Sequence, residues 1–166
     1  MPQFAVRAAT TADLPRVLIL VTGMFHDLGT NVASPGWEAA ARDRLAAGNN
    51  IAAFVTVDAT DRPIATAVGV IDHRIPSPRR PTGRIGYLEW LATDPPHRRQ
   101  GAARLALTAL LTWFDDQGVP TIDVHASSPA RPLYESLGFR TPTAIPLRRA
   151  TTTTSARPES EAETAL

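Results

Sequence analysis

The sequence predicts an α/β domain built on a mixed sheet, and three patterns along its 166 residues predict it. An alternating run leads into an amphipathic helix near the N-terminus; two strand-like runs then flank a short polar link; and from Arg84 onward the pattern is βαβαβ. Alternating strands and helices require crossover helices packed on a sheet, whereas a short polar link suits an antiparallel hairpin. The sheet is therefore mixed rather than purely parallel.

Each element has its own signal. Residues 4–7 alternate as a strand does. Thr10 to Asp13 supplies an N-cap before Leu14, Val17, Leu18, Val21 and Phe25, apolar positions spaced for one helical face. After a turn-rich stretch, a second helix over 36–47 turns Trp37, Ala40, Ala41 and Leu45 inward and is closed by Gly48. Residues 51–57 and 64–71 are the hairpin strands. The segment 73–83, rich in proline and arginine, is a surface connection: either a substrate-facing loop or a solvated link. There follow a strand over 84–93, a long helix over 98–117, a strand over 121–126, a helix over 129–137 and a weak final strand over 139–147. Leu105, Leu107, Leu110, Leu111 and Phe114 have helical spacing and read as core.

Composition narrows the function classes. A chain of this length forms one domain that buries roughly two thirds of its unfolded surface. No apolar run approaches the roughly 18 residues of a membrane span, so no membrane partner is expected. The segment Met1 to Arg7 has no charged leader and apolar stretch, which makes a cytoplasmic location the default expectation. Cysteine is absent, which removes disulfides, thiolate metal sites and a cysteine nucleophile. Net charge is +1 and the basic residues form no single run, so nucleic acid is not an expected partner. His26, His73, His97 and His125 stand far apart without metal-ligand spacing, and no metal is expected.

One domain over residues 1–148 is expected, with residues 149–166 as a disordered tail. The run Thr151 to Ser155 and the Glu-, Ala- and Ser-rich end beyond it offer almost nothing large and apolar to bury. Truncation after Arg149 is accordingly expected to leave thermal stability unchanged. A melting temperature lowered by more than about 3 °C would show that the tail docks.

The chemistry is concentrated in Thr93-Asp94-Pro95-Pro96-His97-Arg98-Arg99-Gln100-Gly101-Ala102-Ala103-Arg104, which joins a strand to a helix. At a helix start several N–H groups lack an intrahelical acceptor and the macrodipole adds partial positive charge, so the main chain can hold an anion such as a pyrophosphate. Gly101, Ala102 and Ala103 allow close approach, and Arg98, Arg99 and Arg104 surround the turn with charge. Other phosphate motifs are missing: the chain has no lysine for G-x-x-x-x-G-K-[ST], and no G-x-G-x-x-G follows a strand.

Arg98-Arg99-Gln100-Gly101-Ala102-Ala103 resembles the acetyl-CoA signature [R/Q]-x-x-G-x-[G/A] of the GNAT superfamily of N-acetyltransferases. Leu133-Tyr134-Glu135-Ser136-Leu137-Gly138-Phe139 resembles its second signature, [L/F]-Y-x-x-x-G-F, at the expected separation. The likeness extends from about Phe4 to Leu147. It implies a GNAT-like mixed, mostly antiparallel central sheet of six to seven strands flanked by helices, with acetyl-CoA as co-substrate. It also implies pantetheine contacts at Leu91, Ala92 and Thr93. The pyrophosphate falls to the main chain of Arg99, Gln100, Gly101, Ala102 and Ala103, with side-chain contacts from Arg98 and Arg104. Thr108 and Ser127 are further neighbours of the cofactor. At Ser127 the chain departs from the family, many members of which have asparagine in N-x-x-A-x-x-L-Y, so one pantetheine or acceptor contact is altered.

An acceptor amine must be neutral when it attacks a thioester, which calls for a base. Glu89 lies on the predicted fourth strand among Tyr87, Leu88, Trp90 and Leu91, surroundings that desolvate a carboxylate and raise its pKa. Several GNAT enzymes have a catalytic glutamate at the corresponding place; the alternative is a glutamate that merely binds the acceptor's cation. The resemblance makes Tyr134 the acid that protonates the departing thiolate, and His125 a weaker candidate for proton relay. These residues imply direct acetyl transfer from acetyl-CoA to a primary amine, with a small molecule expected as acceptor. A protein N-terminus or lysine, or a non-catalytic acyl-CoA-binding module of the same fold, stays open. So does a homodimer.

Overall fold

The computed structural model describes residues 4–144 and 146–149. Its sheet has strands β1 (Ala5–Ala8), β2 (Ile51–Val57), β3 (Pro63–His73), β4 (Arg84–Thr93) and β5 (Ile122–Val124), neighbours in that order. The first four are antiparallel and β5 runs parallel to β4, so the sheet is mixed and mostly antiparallel, as expected. Among the described residues four α-helices cover it: α1 (Leu14–Asp27), α2 (Trp37–Ala47), α3 (Ala102–Asp116) and α4 (Arg131–Ser136).

Strand number departs from the expectation of six to seven: the described residues hold five. The segment 139–147 carries no strand where it is described; residue 145 lies outside that description. Pro142 and Pro146 lack the N–H a ladder needs, and β5, the neighbour such a strand requires, is only three residues long. The tail expected from residue 149 lies outside the described residues apart from Arg149 itself. Among the described residues, no helix is long and apolar enough to cross a membrane.

Among the described residues two larger cores form, one on each face, beside a small cluster of Ile64, Ala65 and Ala102. Val17, Leu20 and Val21 of α1 pack on Val55, Val57, Val68 and Ala92, with Trp37 and Leu45 of α2 at the edge. Ala106, Leu107, Leu110 and Phe114 of α3 pack on Ala67, Ile71 and Leu88, joined by Tyr134 of α4. Leu105, expected in the core stripe, is 38% exposed because it lies half a helical turn from Leu107. A Cβ on Gly69 would stand 2.6 Å from the Phe114 ring and one on Gly86 2.8 Å, so this glycine pair lets α3 lie close over β3 and β4. Helix α2 buries no side chain fully.

An ionic knot closes the N-terminal side. The Asp13 carboxylate accepts hydrogen bonds from the Thr10 N–H and hydroxyl, at 2.7 and 2.8 Å, and from the Arg7 guanidinium at 2.7 Å. Chiefly through Arg7, its pKa is held down to about 2. Arg7 also reaches Asp61 in the β2–β3 link, so one guanidinium ties β1, the start of α1 and the hairpin together.

Candidate active site

The site grows from the place where β4 outruns its neighbour. On one side β4 pairs with β3 along its whole length, but on the other only Gly86, Tyr87 and Leu88 pair with β5. From Glu89 to Thr93 that edge has no strand partner among the described residues. A bulge sets which groups face it: Leu88 pairs with Gly69 and Trp90 with Val68, leaving Glu89 as the extra residue. The Asp94 N–H donates to the Ile64 carbonyl at 2.8 Å. By antiparallel alternation, Trp90 and Ala92 then bond to β3, while Leu91 and Thr93 turn their N–H and C=O groups to the open side.

Beyond β4 the chain makes a 3-10 turn over Pro95–His97 and reaches α3 through two left-handed residues, Arg99 (φ 61°) and Gly101 (φ 89°). This turn is why α3 begins at Ala102 instead of the expected Arg98. A Cβ on Gly101 would meet nothing within 4 Å, so glycine serves the backbone conformation there and the space above it is open. Ala102 is buried, and its carbonyl accepts from the Thr56 hydroxyl at 2.8 Å, which pins the helix start to β2. No side chain caps α3 and no acidic residue lies in its first turn. The N–H groups at this end and their positive dipole suit an anion.

Side chains around the turn largely bond within the protein. Arg98 donates to Asp27 at 2.5 Å and to the Thr93 carbonyl at 3.3 Å. Gln100 donates to the Pro96 carbonyl at 2.9 Å, and Arg104 to the Ser136 hydroxyl at 2.7 Å, which links α3 to α4. Arg99 is exposed. Thr108 is exposed on α3, and the Ser127 carbonyl accepts from the N–H groups of Ala130 and Arg131 as the chain turns into α4.

The two candidate catalytic residues stand on opposite faces of the sheet. Glu89 lies on the α2 face, in the wall of a cavity of about 200 Å³ shared with Arg44, Leu45, Ile51, Val68, Val70 and Trp90. Apolar surroundings push its carboxyl above the usual range, Asp72 pushes it further and His125 opposes the rise. Because the side chain still reaches solvent, this is desolvation by apolar walls rather than full burial. Tyr134 lies on the α3 face, 6% exposed and edge-on to Phe139 with ring centres 5.5 Å apart. Burial pushes its phenol up to about 12.

Sequence reasoning missed four features here. The bulge that frees Glu89 needs a register, the Thr56 anchor lies 46 residues from its partner, and the α2 wall depends on how the second helix docks. It also missed the contact between the Tyr87 hydroxyl and His125 Nδ1, although that pair stands beside the open end of β4. Among the described residues, no three His, Cys, Asp or Glu gather as metal ligands would.

A sequence profile of the Acetyltransferase (GNAT) family matches residues 24–139. The chain belongs to the GNAT acetyltransferase family. Solved structures share the GNAT fold. A GCN5-related N-acetyltransferase from Ralstonia eutropha superposes with a TM-score of 0.76 at 23% identity, over 89% of this chain and 99% of its own. A predicted acetyltransferase from Clostridium acetobutylicum, solved with acetyl-CoA, gives 0.75 at 23% identity, over 87% and 96%. Glucosamine-6-phosphate N-acetyltransferase from Arabidopsis thaliana gives 0.68 at 17% identity, over 89% and 97%. No curated protein matches the chain by sequence.

Proposed function

We propose that this GNAT chain transfers an acetyl group from acetyl-CoA directly to the primary amine of a small molecule. The carrying observation is the fork after Leu88, where an unpaired strand edge leads into an uncapped helix start, with Glu89 on one face of the sheet and Tyr134 on the other. Family membership, the acetyl-CoA present in one structural neighbour and the amino-sugar named in another support the reading.

The residues divide the work by chemistry. The main chain of Arg99 to Ala103 at the α3 start would hold the pyrophosphate, with Arg98 and Arg104 shaping the turn through Asp27 and Ser136. Leu91 and Thr93 would present main-chain groups to the pantetheine and thioester; Ala92 supports them through its bonds to β3. Ser127 would lie beside the same arm. Glu89 takes a proton from the acceptor ammonium, the neutral nitrogen bonds to the thioester carbon, the C–S bond breaks, Tyr134 presents a proton to the departing sulfur, and the proton that the nitrogen sheds on becoming an amide passes through solvent to restore the phenol. No covalent acetyl-enzyme is required.

A phenol held near 12 stays protonated at neutral pH but is a weaker acid than a thiol, whose pKa is about 8.5. Tyr134→Phe is therefore expected to lower turnover only about tenfold, below the usual contribution of roughly 10²-fold from a general acid, with acetyl-CoA affinity nearly unchanged. An equal loss of affinity in the variant would reduce Tyr134 to a packing residue. The reading as a whole is tested by coenzyme A release across polyamines, aminoglycosides, amino acids and peptides. Binding of acetyl-CoA with no release from any amine would instead indicate an acyl-CoA-binding module.

A further inference from the structure

We infer that the acceptor is a hydrophobic monoamine, its apolar body seated in the cavity between α2 and the sheet and its nitrogen at Glu89. This inference rests on the acetyltransferase reading above and names the class of acceptor. The cavity walls are mostly carbon, from Leu45, Ile51, Val68, Val70 and Trp90. At about 200 Å³ it is smaller than the roughly 300–1,000 Å³ pockets that hold drug-sized ligands, which fits a phenyl ring or a short branched alkyl chain.

Charge complements the shape. Glu89 is the acidic group in the wall, and it opposes one ammonium; Arg44, across the cavity on α2, disfavours a second cation there. A polyhydroxylated amine placed in the cavity would lose hydrogen bonds to water and find few replacements. The Trp90 wall is held from behind: Phe25 meets Trp37 and Trp90 edge-on at 5.7 and 6.3 Å, and the Trp37 indole donates to the Val32 carbonyl at 3.1 Å. The α2 side buries no residue fully, which leaves that helix free to adjust around a guest.

The test is an acetyl-transfer series with ethylamine, propylamine, butylamine and phenethylamine against glucosamine and spermidine. The expected result is a rise in kcat/KM of about fourfold per methylene, with phenethylamine at least tenfold above both polar amines. Ala41→Phe fills the cavity from a half-buried position on α2, and it should raise the KM for phenethylamine at least tenfold, more than it raises that for ethylamine, while leaving acetyl-CoA affinity unchanged. A flat alkyl series, or preference for glucosamine or spermidine, overturns the inference and leaves the acetyltransferase reading standing. If no amine releases coenzyme A, that reading fails by itself, and calorimetry of phenethylamine with the wild type and Ala41→Phe still decides the cavity. Binding lost in the variant supports it; absence of binding to the wild type overturns it.

Discussion

Glu89→Gln is expected to lower turnover about 10²-fold near pH 7 and to recover part of it as the pH rises. The substitution keeps the shape of the side chain and removes its proton affinity, so the loss reads the base alone. A general base contributes roughly 10² to 10⁴-fold, and the lower end applies because water reaches the exposed Glu89 carboxylate and can replace it. The pH profile carries the sharper signature. Glu89 works deprotonated, so wild-type activity falls as pH drops through its pKa, and apolar walls with Asp72 place that limb above the range of an ordinary glutamate. In the glutamine variant this limb should vanish, leaving a rise set by the amine's own ionisation near pH 10. Asp72→Asn should move the limb down.

Stability provides the control. A carboxyl whose folded pKa is raised burdens the native state at neutral pH and ceases to do so once protonated, so Glu89→Gln should not lower the melting temperature. Full activity of the variant with every accepted amine across the pH range would mean that deprotonation passes to water or His125.

Gly101→Glu is expected to weaken acetyl-CoA binding by about 10²-fold or more in a protein that still folds. The added Cβ meets no protein atom within 4 Å, so the fold has room for it, although the left-handed φ of 89° costs about 1–2 kcal/mol for any other residue. Its carboxylate would sit at the uncapped start of α3, where it satisfies the free N–H groups itself and repels a pyrophosphate. Losing one or two charge-assisted hydrogen bonds amounts to about 3 kcal/mol, or roughly 10²-fold. Gly101→Ala separates the causes, because it carries the strain without the charge and should lose less. Unchanged affinity in folded Gly101→Glu would remove the cofactor from this turn.

Both variants sit on features the sequence shows at different depths. The Arg98 to Ala103 signature is local: a left-handed glycine, two small residues and a helix start are written within a few neighbouring positions, and the folded chain adds only that the helix waits until Ala102. The hairpin and the apolar faces of α1 and α3 are local too, since periods of 2 and 3.6 residues need no knowledge of the partner. Tyr134 was legible through its own short signature, although its burial among α3 side chains was not.

By itself, then, the sequence determined the helices, the strand segments and the turn that starts α3, because each arises from propensity and spacing within one segment. Tertiary structure decided whatever depends on which segments meet. Among the described residues the sheet ends at five strands because three-residue β5 and the prolines at 142 and 146 give a sixth nothing to pair with. Glu89 faces the cavity because β4 carries one residue more than β3 between Val68 and Gly69, a register that exists only once the strands pair. The cavity beside Glu89 exists because α2, with no strong apolar face, docks loosely over Val68, Val70 and Trp90, and a space between elements is encoded in none of them singly.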